Sequence, residues 1–447
     1  MKLIARLHAK FGDFWWWSLC LFVALRCGDA INAFVGLWLV PKYVGQEQLG
    51  AVLPLLQATS VFGLPISILV MTFTKFLNHY NACGKPGKVK ALIQSFWGMA
   101  ILAVVAGGVV ASVLLPLFFE RIRIVSGSLG VLIIATSVLT ATSPVFTNAL
   151  QALKRFRALT VMNLLCAPIR LGVMLVTMPI RALSGYMVGQ AAPPLFQIAW
   201  SYLTLRREMR PSVKAESFWR EDWRKILWYM TMITIWYSPG PFVGALTTMV
   251  IRQRLSVAES AAYYMISRFA ELGTYAGVSM AVVMYPYVAE HSENDRAHLA
   301  LFFKSTIATI GFGACCILGL WLFLPVFGHL IPQWAAYSNY LPDLLLLALT
   351  MLLTLVAANF NVFEAAGNRF RFLFYAVPLC VIEGVFLVCF TGCDYFRGIL
   401  PDQVVDWMVS LNVATLRNVI LVMLIYSVVV LLCSCVHIVL RLCQERR

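Results

Sequence analysis

The sequence predicts an all-α polytopic membrane protein: twelve transmembrane helices in two six-helix lobes, both termini cytoplasmic. Three observations predict it. Hydrophobic residues make up 61% of 447 and charged residues 12%, with a mean hydropathy of +0.81, whereas a soluble domain is about 45–50% apolar and about 25% charged. The apolar residues come in long runs with Lys and Arg between them. One polar phrase, NALQALKRFR at 148–157, returns as NVFEAAGNRFR at 361–371.

The runs can be taken in order. A hydrocarbon core of about 30 Å asks for roughly 20 apolar residues per helix. Twelve segments meet this: 14–40, 48–73, 91–118, 128–150, 158–180, 183–205, 226–251, 258–288, 304–327, 340–363, 372–393 and 416–440, called spans 1 to 12 below. The basic start MKLIARLHAK leads into a run too long for a signal-peptide core and without a small-residue cleavage site, so it is expected to stay as a signal anchor. With the N-terminus inside, the inner regions hold 24 Lys and Arg and the outer loops 8; 3 more lie within spans. That asymmetry places both termini in the cytoplasm and Trp15, Trp16 and Trp17 at the inner interface. It also accounts for the net charge of +15 without a nucleic-acid partner.

The spans fall into two sixes. An offset of 212 carries the starts of spans 1 to 5 onto spans 7 to 11 and Glu47 onto Glu259. Each six opens with a basic lead-in: Lys2, Arg6 and Lys10, then Trp219, Arg220, Trp223 and Arg224. In the repeated phrase Asn148 answers to Asn361, Gln151 to Glu364 and Arg155-Phe156-Arg157 to Arg369-Phe370-Arg371, with one extra residue in the second copy. Residues 1–205 are therefore the first lobe, 206–225 a cytoplasmic linker and 226–447 the second lobe. The second lobe carries an insertion at 394–412, expected to be a short outer-surface helix with Val404, Val405, Met408 and Leu411 on one face. Most of the 12 Cys lie inside apolar runs without CxxC spacing, so neither a metal nor a redox site is expected.

A charge at bilayer centre costs about 2.5–3.5 kcal/mol on insertion scales and so points to function. Span 1 carries Arg26 and Asp29 in ALRCGDAIN, and span 8 carries Arg268 and Glu271 in YMISRFAELG, each pair three residues apart. Span 5 adds Arg170 and span 11 adds Glu383, at nearly equivalent places in the two halves. Such pairs can neutralise themselves and merely hold a bundle together. Alternatively they face one polar cavity, where a guanidinium fork suits a phosphate. Span 7 contains SPGP, in which Pro239, Gly240 and Pro241 rule out an unbroken helix and form either a hinge or a static kink. Pro65, Pro168 and Pro193-Pro194 are milder interruptions.

These residues carry a resemblance. LVPKYVGQEQLGAVLPLLQATSVFGLP at 39–65 resembles the helix 1–2 connection of polysaccharide and oligosaccharide flippases (Wzx-like) of the multidrug/oligosaccharidyl-lipid/polysaccharide exporter superfamily. NALQALKRFRAL resembles their helix 4–5 loop, and YYMISRFAEL with Pro286 their second lobe; Ala152 and Ala262 stand where glycine is usual. The resemblance implies an alternating-access flippase that moves an undecaprenyl-pyrophosphate oligosaccharide to the outer leaflet of a bacterial inner membrane. It implies no catalytic residues and no cofactor, with coupling to H+ or Na+ left open. Arg26 and Arg268 would hold the pyrophosphate, as arginines of these helices line the cavity of lipid II flippases, with Arg170 as a further candidate. Asp29, Glu271 and Glu383 would be their partners or take a coupling cation. Implied partners are membrane lipids, the lipid-linked substrate and polysaccharide assembly enzymes. A multidrug/cation antiporter of the same fold is the alternative. A facilitator is disfavoured because NACGKPGKVKAL lacks an acidic residue between its glycine and basic pair. An enzyme is disfavoured because the outer loops offer only Lys42, Glu47, a lone His329 and Asp394, Asp402 and Asp406 without a DxD motif.

Overall fold

A computed structural model describes residues 20–95 except 22, then 127–152, 155–206, 219–274, 295–366, 369–390, 401–410 and 415–445, with isolated positions such as 98, 102 and 216. Trp15–Trp17, most of span 3, the end of span 8 with Pro286, and most of the 206–225 linker lie outside the described residues. Among the described residues every regular element is helical. Among the described residues seven helices are long and apolar enough to cross a membrane, and one of these holds both spans 5 and 6. Span 9, in Asp295–Phe327, leaves Ile307, Phe312, Leu318, Trp321 and Phe323 exposed, an apolar surface suited to lipid.

The chain forms two compact units: 1–35 with 55–241, and 36–54 with 242–447. They follow the sequence halves except for two exchanged segments. Residues 36–54, early in the sequence, pack with the second unit, and the start of span 7, up to Pro241, packs with the first.

In the first unit, helix Val52–Ala82 ends where Gly84 takes a positive φ of 64° and Lys85 donates its amide back to the Tyr80 carbonyl at 3.0 Å. Hydroxyls on this helix return to carbonyls one turn back, as Thr72 does to Ile68 and Thr74 to Val70. Asn148 of helix Gly127–Ala152 then donates to the Thr74 hydroxyl at 2.7 Å, tying span 4 to span 2. Spans 5 and 6 share one element, Phe156–Arg206, reversed at Arg181 and at Ala182, whose φ is 22°. The turn is closed by the Thr177 hydroxyl on the Gly185 carbonyl at 2.9 Å, and a side chain at Gly185 would overlap the Thr177 backbone.

Span 7 is broken as expected, into Trp219–Tyr237 and Pro239–Arg254 with Ser238 between. The prolines begin a helix rather than interrupt one, because a first turn has no use for their missing amide donors. The first piece is anchored within its own unit. Asp222 accepts from the Tyr80 hydroxyl at 2.8 Å and pairs with Lys88 at 3.6 Å and Lys225 at 3.7 Å. One helical face further along, Lys75 sits 3.7 Å over the Tyr229 ring, which Phe76 meets edge-on.

In the second unit, helix Val257–Ala270 starts with a capping box, Ser256 bonding the Glu259 amide while Glu259 returns to Ser256. Its stripe Ser260, Tyr264 and Arg268 faces the 36–54 segment: Ser260 donates to the Gly50 carbonyl and Tyr264 to the Gly36 carbonyl. A side chain at Gly50 would overlap Ser260. Leu341–Ala366 is the central helix, linked by Thr354 to Ser427 at 2.7 Å and by Asn359 to Thr309 at 3.2 Å. In the insertion, helix Asp402–Ser410 forms, but the expected apolar face is only partly realised. Val405 is buried at 1% exposure while Val404 is 38% exposed, because one residue of helix turns the side chain by about 100°. The Met408 side chain and Leu411 lie outside the described residues.

The repeat also acquires a register. Gly127–Ala152 and Leu341–Ala366 both have 26 residues, starting 214 apart. Each is followed by the same six-residue closure, Arg155 amide to Leu150 carbonyl at 2.8 Å and Arg369 amide to Glu364 carbonyl at 2.9 Å. This constant offset of 214 sets Leu150, not Gln151, opposite Glu364 and leaves no extra residue between the two copies; the extra residue arises only when Asn148 is paired with Asn361.

Asp222 supplies a stability test. Burial alone would raise its pKa, but the Tyr80 hydroxyl and the two lysines hold it below the ordinary carboxylate value. A carboxyl held low in the folded state stabilises above the unfolded pKa of about 3.9 and loses that contribution as pH falls through the folded value. D222N is expected to cost about 1–3 kcal/mol, read as a lower thermal midpoint of the purified protein in detergent. The gap to wild type should persist from neutral pH to about pH 4 and close below it.

Candidate functional site

Each unit holds one of the expected arginine–acid pairs, and each can be built from its own helix. In the first unit Arg26 and Asp29 lie one turn apart in helix Val23–Tyr43 and meet at 3.0 Å, both side chains about a quarter exposed (29% and 26%). The next residue on that face is Asn32, whose side-chain oxygen accepts from Arg170 of span 5 at 2.8 Å. Arg26, Asp29, Asn32 and Arg170 therefore form one polar stripe. A Cβ at Gly28 would stand 3.8 Å from that of Ala167, an ordinary contact, so span 1 and span 5 lie side by side here. Asn32 was not singled out from sequence, although its three-residue spacing from Asp29 within ALRCGDAIN was the available signal.

In the second unit Arg268 occupies the last turn of Val257–Ala270, and Glu271 opens the 3-10 turn Glu271–Gly273. They pair at 2.8 Å with side chains 20% and 27% exposed. The Arg268 guanidinium lies 5.4 Å over the Tyr264 ring. Glu383, in helix Leu373–Phe390, is buried at 8% exposure and enters no ion pair among the described residues. Its electrostatic neighbours are Tyr263, Cys380 and Tyr426, and Tyr263 is also within range of Glu271 and Arg268. The neighbouring Gly384 lies beside Val243 and Leu246, just beyond the Pro239-Gly240-Pro241 break, where a Cβ would make ordinary contacts at 3.5 Å.

Arg26 and Asp29 thus combine a fixed cation with partial exposure inside an apolar helix of membrane-spanning length, and Arg268 and Glu271 do so at the end of a shorter helix. That state is costly in lipid unless a polar ligand or cavity faces it.

No family model and no curated relative matches this sequence. Solved structures do match along nearly the whole chain. A mutant of the Vibrio cholerae MATE transporter VcmN matches with a TM-score of 0.64 at 11% identity, over 97% of each chain. A MATE in its straight conformation matches at 0.60 and 15% identity, over 94% of each chain. An inward-facing multidrug resistance MATE family transporter of the MOP superfamily matches at 0.57 and 15% identity, over 94% of this chain and 98% of that one. The chain has the fold of the MATE transporters.

A second polar cluster escaped the sequence reading. Glu364, 2% exposed, pairs with Arg441 of helix Leu416–Glu445 at 2.7 Å and lies 3.9 Å from His437. Glu364 had signified only the repeated phrase, and Arg441 only one more inner-side cation, because nothing local joins residues 77 apart. Removing one partner strands a buried charge, so R441A is expected to destabilise by about 3–5 kcal/mol, whereas E364Q with R441M should restore most of the loss. Thermal midpoints of the three purified proteins measure this.

Proposed function

We propose that this protein is an alternating-access exporter of a lipid-linked, diphosphate-bearing oligosaccharide, carried from the cytoplasmic to the outer leaflet of a bacterial inner membrane. The observation that carries this reading is the presence, in each unit, of an intramembrane arginine held by an acid one turn away, Arg26 with Asp29 and Arg268 with Glu271. A planar guanidinium can give a diphosphate two parallel hydrogen bonds while a third donor stays on its carboxylate. Arg170, held by Asn32, is the third contributor. Asp29 and Glu271 orient the arginines, and Glu383 is the carboxylate suited to a coupling H+ or Na+. The Ser238 break, with Pro239, Gly240 and Pro241 behind it, is the hinge of the transport cycle. Twelve spans with both termini cytoplasmic complete the picture, and polysaccharide assembly enzymes would receive the product. The sequence resemblance at 39–65 and 148–159 supports the same class.

A multidrug/cation antiporter is the second reading, favoured by one observation: a matched structure is that of a multidrug resistance transporter. A cationic drug asks for uncompensated acids, and in both pairs the acid already faces an arginine.

Reconstitution separates the two. In proteoliposomes a labelled undecaprenyl-diphosphate oligosaccharide should be translocated by wild type, and R26A or R268A should reduce the rate at least about tenfold, the scale of one lost charge-assisted contact. Unchanged rates in both variants would remove the arginines from the site. Ethidium-driven proton release without translocation of the diphosphate lipid would put the antiporter first.

A further inference from the structure

We propose that Tyr264 and Gly36 are positioning residues that set the Arg268 guanidinium for its diphosphate; this rests on the reading of Arg268 given above. Span 1 does not continue as an α-helix. It passes through a π-turn at Val35–Leu39 and resumes as Val40–Tyr43. In an i→i+5 ladder the Gly36 carbonyl looks for the amide of residue 41, which is Pro41 and has none. A buried carbonyl without a donor is costly in a membrane protein. The Tyr264 hydroxyl supplies the donor, at 3.0 Å, from a side chain only 1% exposed.

That bond fixes the ring, and the ring carries the arginine. Arg268 follows Tyr264 by one helical turn and lays its guanidinium over the ring at 5.4 Å, with Nη1 on Glu271 at 2.8 Å. Gly36 closes the third side. A Cβ at this position would stand 3.0 Å from the Arg268 Cδ and 3.5 Å from its Cγ, so an added methyl would push the arginine stem by a few tenths of an ångström. The π-turn, Pro41, Tyr264 and Arg268 act as one assembly: the missing amide selects the tyrosine, and the tyrosine aims the cation. Gly36, Pro41, Tyr264 and Arg268 all lie within the second unit.

The test is a mutant cycle on equilibrium binding of undecaprenyl diphosphate to the purified full-length protein, with uncharged undecaprenol as the control. Y264F keeps the ring and loses the hydroxyl, and it should weaken diphosphate binding about tenfold, leaving undecaprenol unchanged. R268A should weaken it at least as much, and Y264F with R268A should be no weaker than R268A alone, since one residue acts through the other. G36A should shift binding in the same direction. Alanine favours a helix over glycine, so that loss would come from the displaced arginine and not from helix propensity. If Y264F lowers the yield of folded protein, G36A carries the same cycle with Tyr264 intact. Additive losses for Y264F and R268A, or full binding by both Y264F and G36A, would overturn the positioning role while leaving Arg268 in the site. Full binding by R268A would overturn both this inference and the reading on which it rests.

Discussion

The constraint on which the structure depends is that a bilayer core offers the backbone no hydrogen-bond partner. Regular helix is the default, and each departure from it has to be answered locally. Three departures among the described residues show this. The π-turn at Val35–Leu39 is answered by Tyr264, the reversal at Arg181–Ala182 by Thr177, and the break at Ser238 by prolines that open a new helix and so ask for no donor. Two of these departures coincide with the limits of the compact units, at Val35 and at Pro241. The third limit, at Leu55, falls inside the unbroken helix Val52–Ala82.

The intramembrane charges obey the same economy of partners. An arginine and an acid one turn apart on a helix need no tertiary contact to neutralise each other, and both pairs form in this way. What differs is the support behind each. Arg26 and Asp29 continue into a polar stripe through Asn32 to Arg170, so the first unit holds two arginines along one line. Arg268 stands on an aromatic ring whose own position is set by a backbone defect in span 1. The Glu364–Arg441 pair is a third solution, nearly dry and joined across two helices, with the hallmarks of a structural clasp.

The repeated phrase shows how a sequence signal changes meaning with structure. Its basic residues had read as inner-side anchors, and its polar residues as a mark of duplication. In the folded chain Asn148 ties span 4 to span 2, while Glu364 is clasped by Arg441. The shared feature is the backbone closure at Arg155 and Arg369, which keeps the two helix ends alike while the side chains diverge. The two helix ends share a turn because backbone geometry is unforgiving, while the side-chain contacts around them differ.

Much was legible without coordinates. Composition and apolar run length determined a helical membrane protein, since only internally bonded segments survive in lipid. The proline pair at 239–241 determined a break in span 7, and the three-residue spacings determined which acid each arginine would meet. These are local facts, decided within one or two helical turns. The tertiary structure alone decided that 36–54 packs with residues two hundred positions later, that Tyr264 bonds the Gly36 carbonyl, that Asn32 holds Arg170, and that Val405 and not Val404 is buried. Each of these depends on which helix lies alongside which, and hydrophobic runs of similar length carry no record of their neighbours.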